Sequence, residues 1–199
     1  MLENALSTID DQIIFETIQT GDNFAFDLVV VKLPQLKKQL VMTVGLSENE
    51  QEISSEKFKE YKRIEIFFCL PDYWKIDEVN WPVTWISKIA EIPQKNKTWF
   101  GPGDTIPAGN PPVEFMDKLP ANHFMLCNPI ITKSVFEHEK LKKLGIKFMG
   151  IIPITQNEVD FKLRNSATIL THRLTKKGYD ETVDPFRSPV CRKRILGLF

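Results

Sequence analysis

The side chains able to do covalent chemistry are few and widely scattered. The three histidines, His123, His138 and His172, belong to no HExxH pattern, and no serine occupies a GxSxG elbow. His138 stands between Glu137 and Glu139. Neighbours in sequence do not share a helix face, so this trio reads as exposed surface and not as a metal site. The cysteines, Cys69, Cys127 and Cys191, are odd in number and form no CxxC pair, which excludes a zinc or disulfide framework on spacing. Cys69 and Cys127 lie in apolar runs and read as small buried hydrophobes.

One loop invites a closer reading. TWFGPGDTIPAGNPP, Thr98 to Pro112, superficially suggests a phosphate cradle. It lacks the Lys-Ser/Thr of a Walker loop, and its prolines remove N–H groups that a phosphate would need. Asp104 has no second carboxylate in the loop. It either braces the turn through its side chain or contacts a ligand directly. Trp99 and Phe100 are either apolar anchors of this loop or rigid aromatics of the kind that dominate protein interfaces. No cofactor or metal is expected.

The elements that must position this loop surround it. Tyr61 to Pro112 holds all four tryptophans and seven of the thirteen prolines. Arg63 to Leu70, RIEIFFCL, alternates as a strand with one packed and one partly wet face. Pro82 to Glu91 is a helix opened by proline and stopped by Pro93, with Trp81, Trp85, Ile86 and Ile89 as its core stripe. Upstream, Leu2, Leu6, Ile9, Ile13 and Ile14 recur at helical steps, predicting a helix over 2–19. Phe24 to Val31 and Leu40 to Leu46 form a hairpin, and Ser47 to Lys59 is an exposed connection. Downstream, Phe124 to Ile131 is a strand with an irregularity at Pro129. Val135 to Leu144 is a helix stopped by Gly145, and Ile146 to Ile154 is the most interior strand. Gly150 in that strand admits a close neighbour. Thr155 and Glu158 fit a capping box, followed by helices over 156–164 and 166–176. Strands in succession without βαβ alternation predict α+β: a single domain over 1–199, its central mixed, mostly antiparallel sheet flanked by helices.

Bulk charge excludes some partners. Twenty-six basic residues balance 26 acidic ones, so the molecule has no overall attraction for nucleic acid or anionic lipid. The charge is unevenly placed. Met1 to Val31 holds Glu3, Asp10, Asp11, Glu16, Asp22 and Asp27 with no base, whereas Arg187, Arg192, Lys193 and Arg194 follow the last acid, Asp184. Four cations make a solvated terminus rather than a nucleic-acid arm. No apolar run reaches the ~18–20 residues of a membrane span, and MLENALSTIDDQ lacks a signal-peptide pattern. The expectation is a soluble, reduced, cytoplasmic protein.

Several blocks in fixed order resemble the suppressor-of-fused family in its bacterial form. They are TVGLSE at 43–48, RIEIFFCLPDYW, WPVTWISKIAEIP, TWFGPGDTIPAGNPP, FMGIIPIT with Glu158, the helical region to Leu174, and VDPFRSPV. The resemblance covers about residues 24–190. It implies a mixed sheet flanked by helices and a role in binding without catalysis. Animal members hold a transcription factor through an extended peptide in a groove between two domains, and this chain is similar to the first of those domains. Stand-alone bacterial members resemble immunity proteins, antitoxins that neutralise a cognate toxin. The GDTIPAGN segment is similar to a groove-lining segment, which makes Trp99, Phe100, Gly103, Asp104 and Thr105 the candidate partner contacts. A scaffold that sequesters an endogenous protein by strand addition, and an enzyme with a pocket near Asp104, are the alternatives.

A patch of one charge sign accelerates association with an oppositely charged partner. Neutralising Asp10, Asp11 and Glu16 together is therefore expected to flatten the salt dependence of the association rate with a basic partner. An unchanged slope of log rate against log salt would show that these acids only complement a helix dipole.

Overall fold

The computed structural model describes residues 5–6, 14–19, 26–77 and 81–191. Its centre is one seven-stranded sheet in the order β1-β2-β3-β4-β7-β6-β5. The strands are β1 (Ile14–Gln19), β2 (Asp27–Leu33), β3 (Lys38–Val44), β4 (Ile64–Pro71), β5 (Thr105–Pro107), β6 (Ala121–Cys127) and β7 (Lys147–Thr155). Two antiparallel meanders, β1 to β4 and β5 to β7, meet at a single parallel seam between β4 and β7. Parallel neighbours cannot be joined by a tight hairpin, so the long excursion between β4 and β7 carries α1 (Trp81–Asn96), β5, β6, α2 (Lys133–Phe136) and α3 (Glu139–Lys142). Beyond β7 follow α4 (Gln156–Arg164) and α5 (Ala167–Lys176). The fold class is the α+β arrangement that the sequence predicts.

The strands' two-residue period sorts the core into two faces. Ile64, Ile66, Phe68 and Leu70 of β4 join Phe124, Leu126, Met149 and Ile151 under α1, where Ile86 and Ile89 are fully buried. Phe67 and Cys69 face the other way, into a cluster with Val31, Met42, Phe136 and Phe148. On that same face Met125, Ile152 and Ile154 pack against Leu170 and Leu174 of α5. Trp81 and Trp85 flank Phe115, with ring centroids 5.2 and 6.0 Å away. The stripe predicted from helical spacing is thus part of the core.

Several local expectations are corrected. The helix predicted over 2–19 is found at the described residues Ala5 and Leu6 but is a strand over 14–19, because β-branched Ile14, Thr17 and Ile18 favour the pleated surface; residues 1–4 and 7–13 lie outside the described residues. The partly wet face of β4 does not exist. Glu65 and Phe67 are as buried as Ile66, since helices cover both sides of this middle strand. β4, not β7, holds the centre of the seven. Pro93 lies inside α1, which runs on to Asn96. The connection over 47–59 is only partly exposed, with Ser47 and Gln51 buried. The helix predicted over 135–144 is two short ones, because His138 leaves helical geometry and caps the second by accepting from Lys140 N–H.

A strap from the C-terminal side closes the sheet. β4 pairs with β7 only over Ile64–Phe67. Past that point Thr182 takes the vacant flank of β4, bridging Cys69, with Val183 N–H donating to Cys69 O at 2.8 Å. Glu181 thereby sits over Gly150, where a Cβ would lie 3.0 Å from Glu181 Cβ and 3.3 Å from Phe67 Cζ. Glu181 is buried and accepts from Ile130, Ile131 and Thr132 N–H and from Thr132 Oγ1, all within 3.0 Å. Gly150→Ala is expected to cost about 1–3 kcal/mol through this overpacking. It would be read as a lower urea midpoint at unchanged slope; an unshifted midpoint would show that the strap yields freely.

Candidate partner-binding edge

The loop singled out by sequence becomes the outer edge of the sheet. β5 is its last strand, pairing Thr105, Ile106 and Pro107 with Met125, Phe124 and His123 of β6. Leu126 N–H donates to Asp104 O, and Ala108 N–H donates to Asn122 O, each at 2.9 Å. Antiparallel alternation then turns the Thr105 N–H and C=O outward. Pro107 has no N–H, which shortens the free edge.

Each candidate residue has a defined place. Asp104 Oδ2 accepts from Gly101 N–H at 2.8 Å, while Asp104 N–H donates to Gly101 O at 3.2 Å. It braces the turn and is half-buried. Gly103 has φ +99° and lies against α5, so a Cβ there would fall 2.6 Å from Ala167 Cβ; no other residue fits both demands. Thr105 Oγ1 accepts from Lys162 Nζ of α4 at 3.3 Å. Phe100 is 4% exposed and belongs to the core. Trp99 is half-buried, its ring 5.2 Å from that of Phe58.

Sequence reasoning missed what holds this loop from behind. Buried Gln51 acts like a strand partner for Phe100. Its Oε1 accepts from Phe100 N–H at 2.7 Å, and its Nε2 donates to Phe100 O at 3.0 Å and to Tyr61 O at 2.8 Å. A glutamine in a polar, Glu-rich stretch gives no warning of such a role. His123, opposite Pro107, was also passed over. Burial lowers its pKa, with Asp160 opposing.

Behind β5 lies a buried ion pair. Arg187 donates to both Glu158 oxygens at 2.7 and 2.8 Å and to Pro153 O at 2.8 Å. Thr155 and Val190 N–H also donate to Glu158, each at 2.9 Å. Burial alone would raise the Glu158 carboxyl; Arg187 and these N–H groups outweigh it and hold the pKa below its ordinary value. Glu65 differs. Burial raises its pKa even though Thr43 Oγ1 and the N–H groups of Gly45 and Ser47 donate to it. The capping-box signal marks Glu158, but nothing in local spacing points to Arg187, 29 residues away, which is buried in this pair and not part of a solvated terminus.

Other features give little to chemistry. Three surface clefts of about 360, 300 and 680 Å³ lie at the C-terminal end of α1, beside Trp74 and Phe186, and beside Tyr61 and Phe148; Asp104 lines none of these three. Among the described residues no three His, Cys, Asp or Glu side chains gather as a metal site. Burial raises the Cys69 thiol to about 12 and raises Cys127 as well, leaving neither a ready nucleophile. No described helix is long and apolar enough to cross a membrane.

A mixed sheet clothed by helices, with one edge braced from within, is the architecture that positions this loop. The family profile of the suppressor of fused protein matches residues 25–188, and the chain belongs to that family. A suppressor-of-fused homologue from Neisseria gonorrhoeae is similar in structure, with a TM-score of 0.68 at 14% identity, covering 97% of this chain and 96% of that one. Drosophila Suppressor of Fused is similar with a TM-score of 0.58 at 13% identity, over 94% of this chain but 49% of its own length. At such identities the two structures speak for the fold. No curated protein sequence matches the chain.

Arg187→Met is expected to destabilise the protein by about 3–5 kcal/mol at neutral pH, because it leaves the Glu158 charge buried without its partner. Glu158 has a depressed folded pKa, so its stabilisation is present above the unfolded carboxyl's pKa and is lost as pH falls through the folded value. Wild-type stability should therefore drop below about pH 4.5, the ordinary value, while the gap between variant and wild type narrows. Urea melts at pH 7 and pH 4 check this; a gap independent of pH would contradict the assignment.

Proposed function

We propose that this chain is a non-catalytic immunity protein that binds and neutralises a cognate toxin in the cytoplasm, using the edge formed by Trp99, Phe100, Gly103, Asp104 and Thr105. The observation that carries this reading is the edge itself. The segment expected to touch a partner is the outermost strand of the sheet, and Asp104, Gln51 and Lys162 hold it in shape from within. Such preorganisation lowers the ordering cost of association. Strand addition to Thr105 supplies backbone hydrogen bonds, and the Trp99 ring supplies an aromatic anchor. Phe100 is not a direct contact, because its ring is buried and Gln51 occupies its N–H and C=O; it serves as the buried foot of the loop. Family membership supports protein binding; the toxin as partner is our extension of it.

Co-expression with the product of the reading frame adjoining this chain's gene tests the reading: that product alone should arrest growth. Wild-type protein should restore growth. Thr105→Pro, which removes the outward N–H, should weaken binding about ten-fold or more, the equivalent of one lost hydrogen bond of ~1.4 kcal/mol, while far-ultraviolet dichroism stays unchanged. Binding of another cellular protein without rescue would favour the second reading, sequestration of an endogenous partner at the same edge.

A further inference from the structure

The opposite edge of the sheet is built differently. β5 is three residues long and ends in Pro107, whereas β1 is six residues long, IFETIQ, with neither proline, glycine nor lysine. Natural sheets blunt such edges with short strands, prolines, charges or covering segments, because unpaired N–H and C=O groups template another strand. Among the described residues no strand pairs with the outer side of β1. On one face, residues 14, 16 and 18 all stand exposed, with Ile14 at 53% and Ile18 at 36%. Glu16 lies between the two isoleucines. The register is regular from Ile14 to Thr17 and shifts only between Thr17 and Gln19.

We infer that the outer edge of β1 is a second docking site, taking an extended segment of another protein in which a basic residue is flanked by apolar ones. Charge selects this occupant. The sequence from Met1 to Val31 carries six acids and no base. The described cation nearest in register is Lys32, opposite Ile14 at the strand's start and not beside Glu16. A strand laid against β1 places its central side chain next to Glu16 and its neighbours on that face beside Ile14 and Ile18. Opposite charges and apolar pairs across strands are favourable, and like charges are not. A second copy of this chain paired antiparallel about its centre would bring Glu16 near its own counterpart, which disfavours a symmetric dimer. The site lies at the far side of the sheet from β5, so its fate is independent of the toxin-binding reading.

Two labelled probes test it: a peptide alternating valine with arginine, and one alternating valine with glutamate. Titrated into the isotope-labelled full chain, the basic probe should shift the amide resonances of residues 14–19 and bind at least ten-fold tighter than the acidic one. Glu16→Lys, an exposed change, should reverse that order. Equal affinities, shifts confined to other residues, or an order that Glu16→Lys leaves unaltered would overturn the inference. So would sedimentation showing a wild-type dimer that Ile18→Lys dissolves, since the occupant would then be a second copy.

Discussion

The Glu158–Arg187 pair is the interaction on which the rest of the binding edge depends. Both groups are buried, and the carboxylate is met by a bidentate guanidinium and two backbone N–H groups. Charges taken out of water are tolerated only when so completely satisfied. The pair joins the start of α4, the end of β7 and the C-terminal strap at one point. Because α4 carries Lys162 to Thr105, and α5 sets Ala167 against Gly103, that junction braces β5 in addition to its pairing with β6. Glu181 does similar work one layer away, tying the strap to residues 130–132.

Buried carboxylates are often read as chemistry. Among the described residues each of the three, Glu65, Glu158 and Glu181, is surrounded by donors of the chain's own backbone and side chains. None faces one of the three surface clefts as a lining residue. They fasten loops to strands: the turn after β3, the start of α4, and the turn after β6. Asp104 does the same on a smaller scale. A shape maintained by internal hydrogen bonds suits recognition, where the cost of ordering a loop at the moment of binding is the main loss to avoid.

How much of this was legible depended on how local its cause is. The Glu158 half of the capping box, the tryptophan stripe of α1, the close neighbour at Gly150 and the α+β class all follow from short-range spacing and are found, whereas Thr155 Oγ1 has no hydrogen-bond partner among the described residues. The failures share a different cause. In sequence β4 reads as half-wet because a glutamate in a strand is expected to face solvent, and only the distant Thr43, Gly45 and Ser47 make the burial of Glu65 tolerable. Residues 14–19 carry a pattern that serves helix or strand alike, and pairing with β2 decides. Pro93 reads as a terminator, yet α1 accommodates it three residues before its end. Gln51 and Arg187 act over separations of 49 and 29 residues, beyond the reach of any window read along the chain.

Amide hydrogen exchange at Gly103 and Leu126 tests the preorganised edge most directly, because these N–H groups form the bonds to Leu126 O and Asp104 O that fix β5 to β6. A rigid edge predicts exchange only through global unfolding, with the same opening free energy and denaturant dependence as the amides of β7. Fast exchange, insensitive to denaturant, would mean that β5 opens on its own. A partner would then have to order this edge before binding it, which contradicts a surface held ready from within.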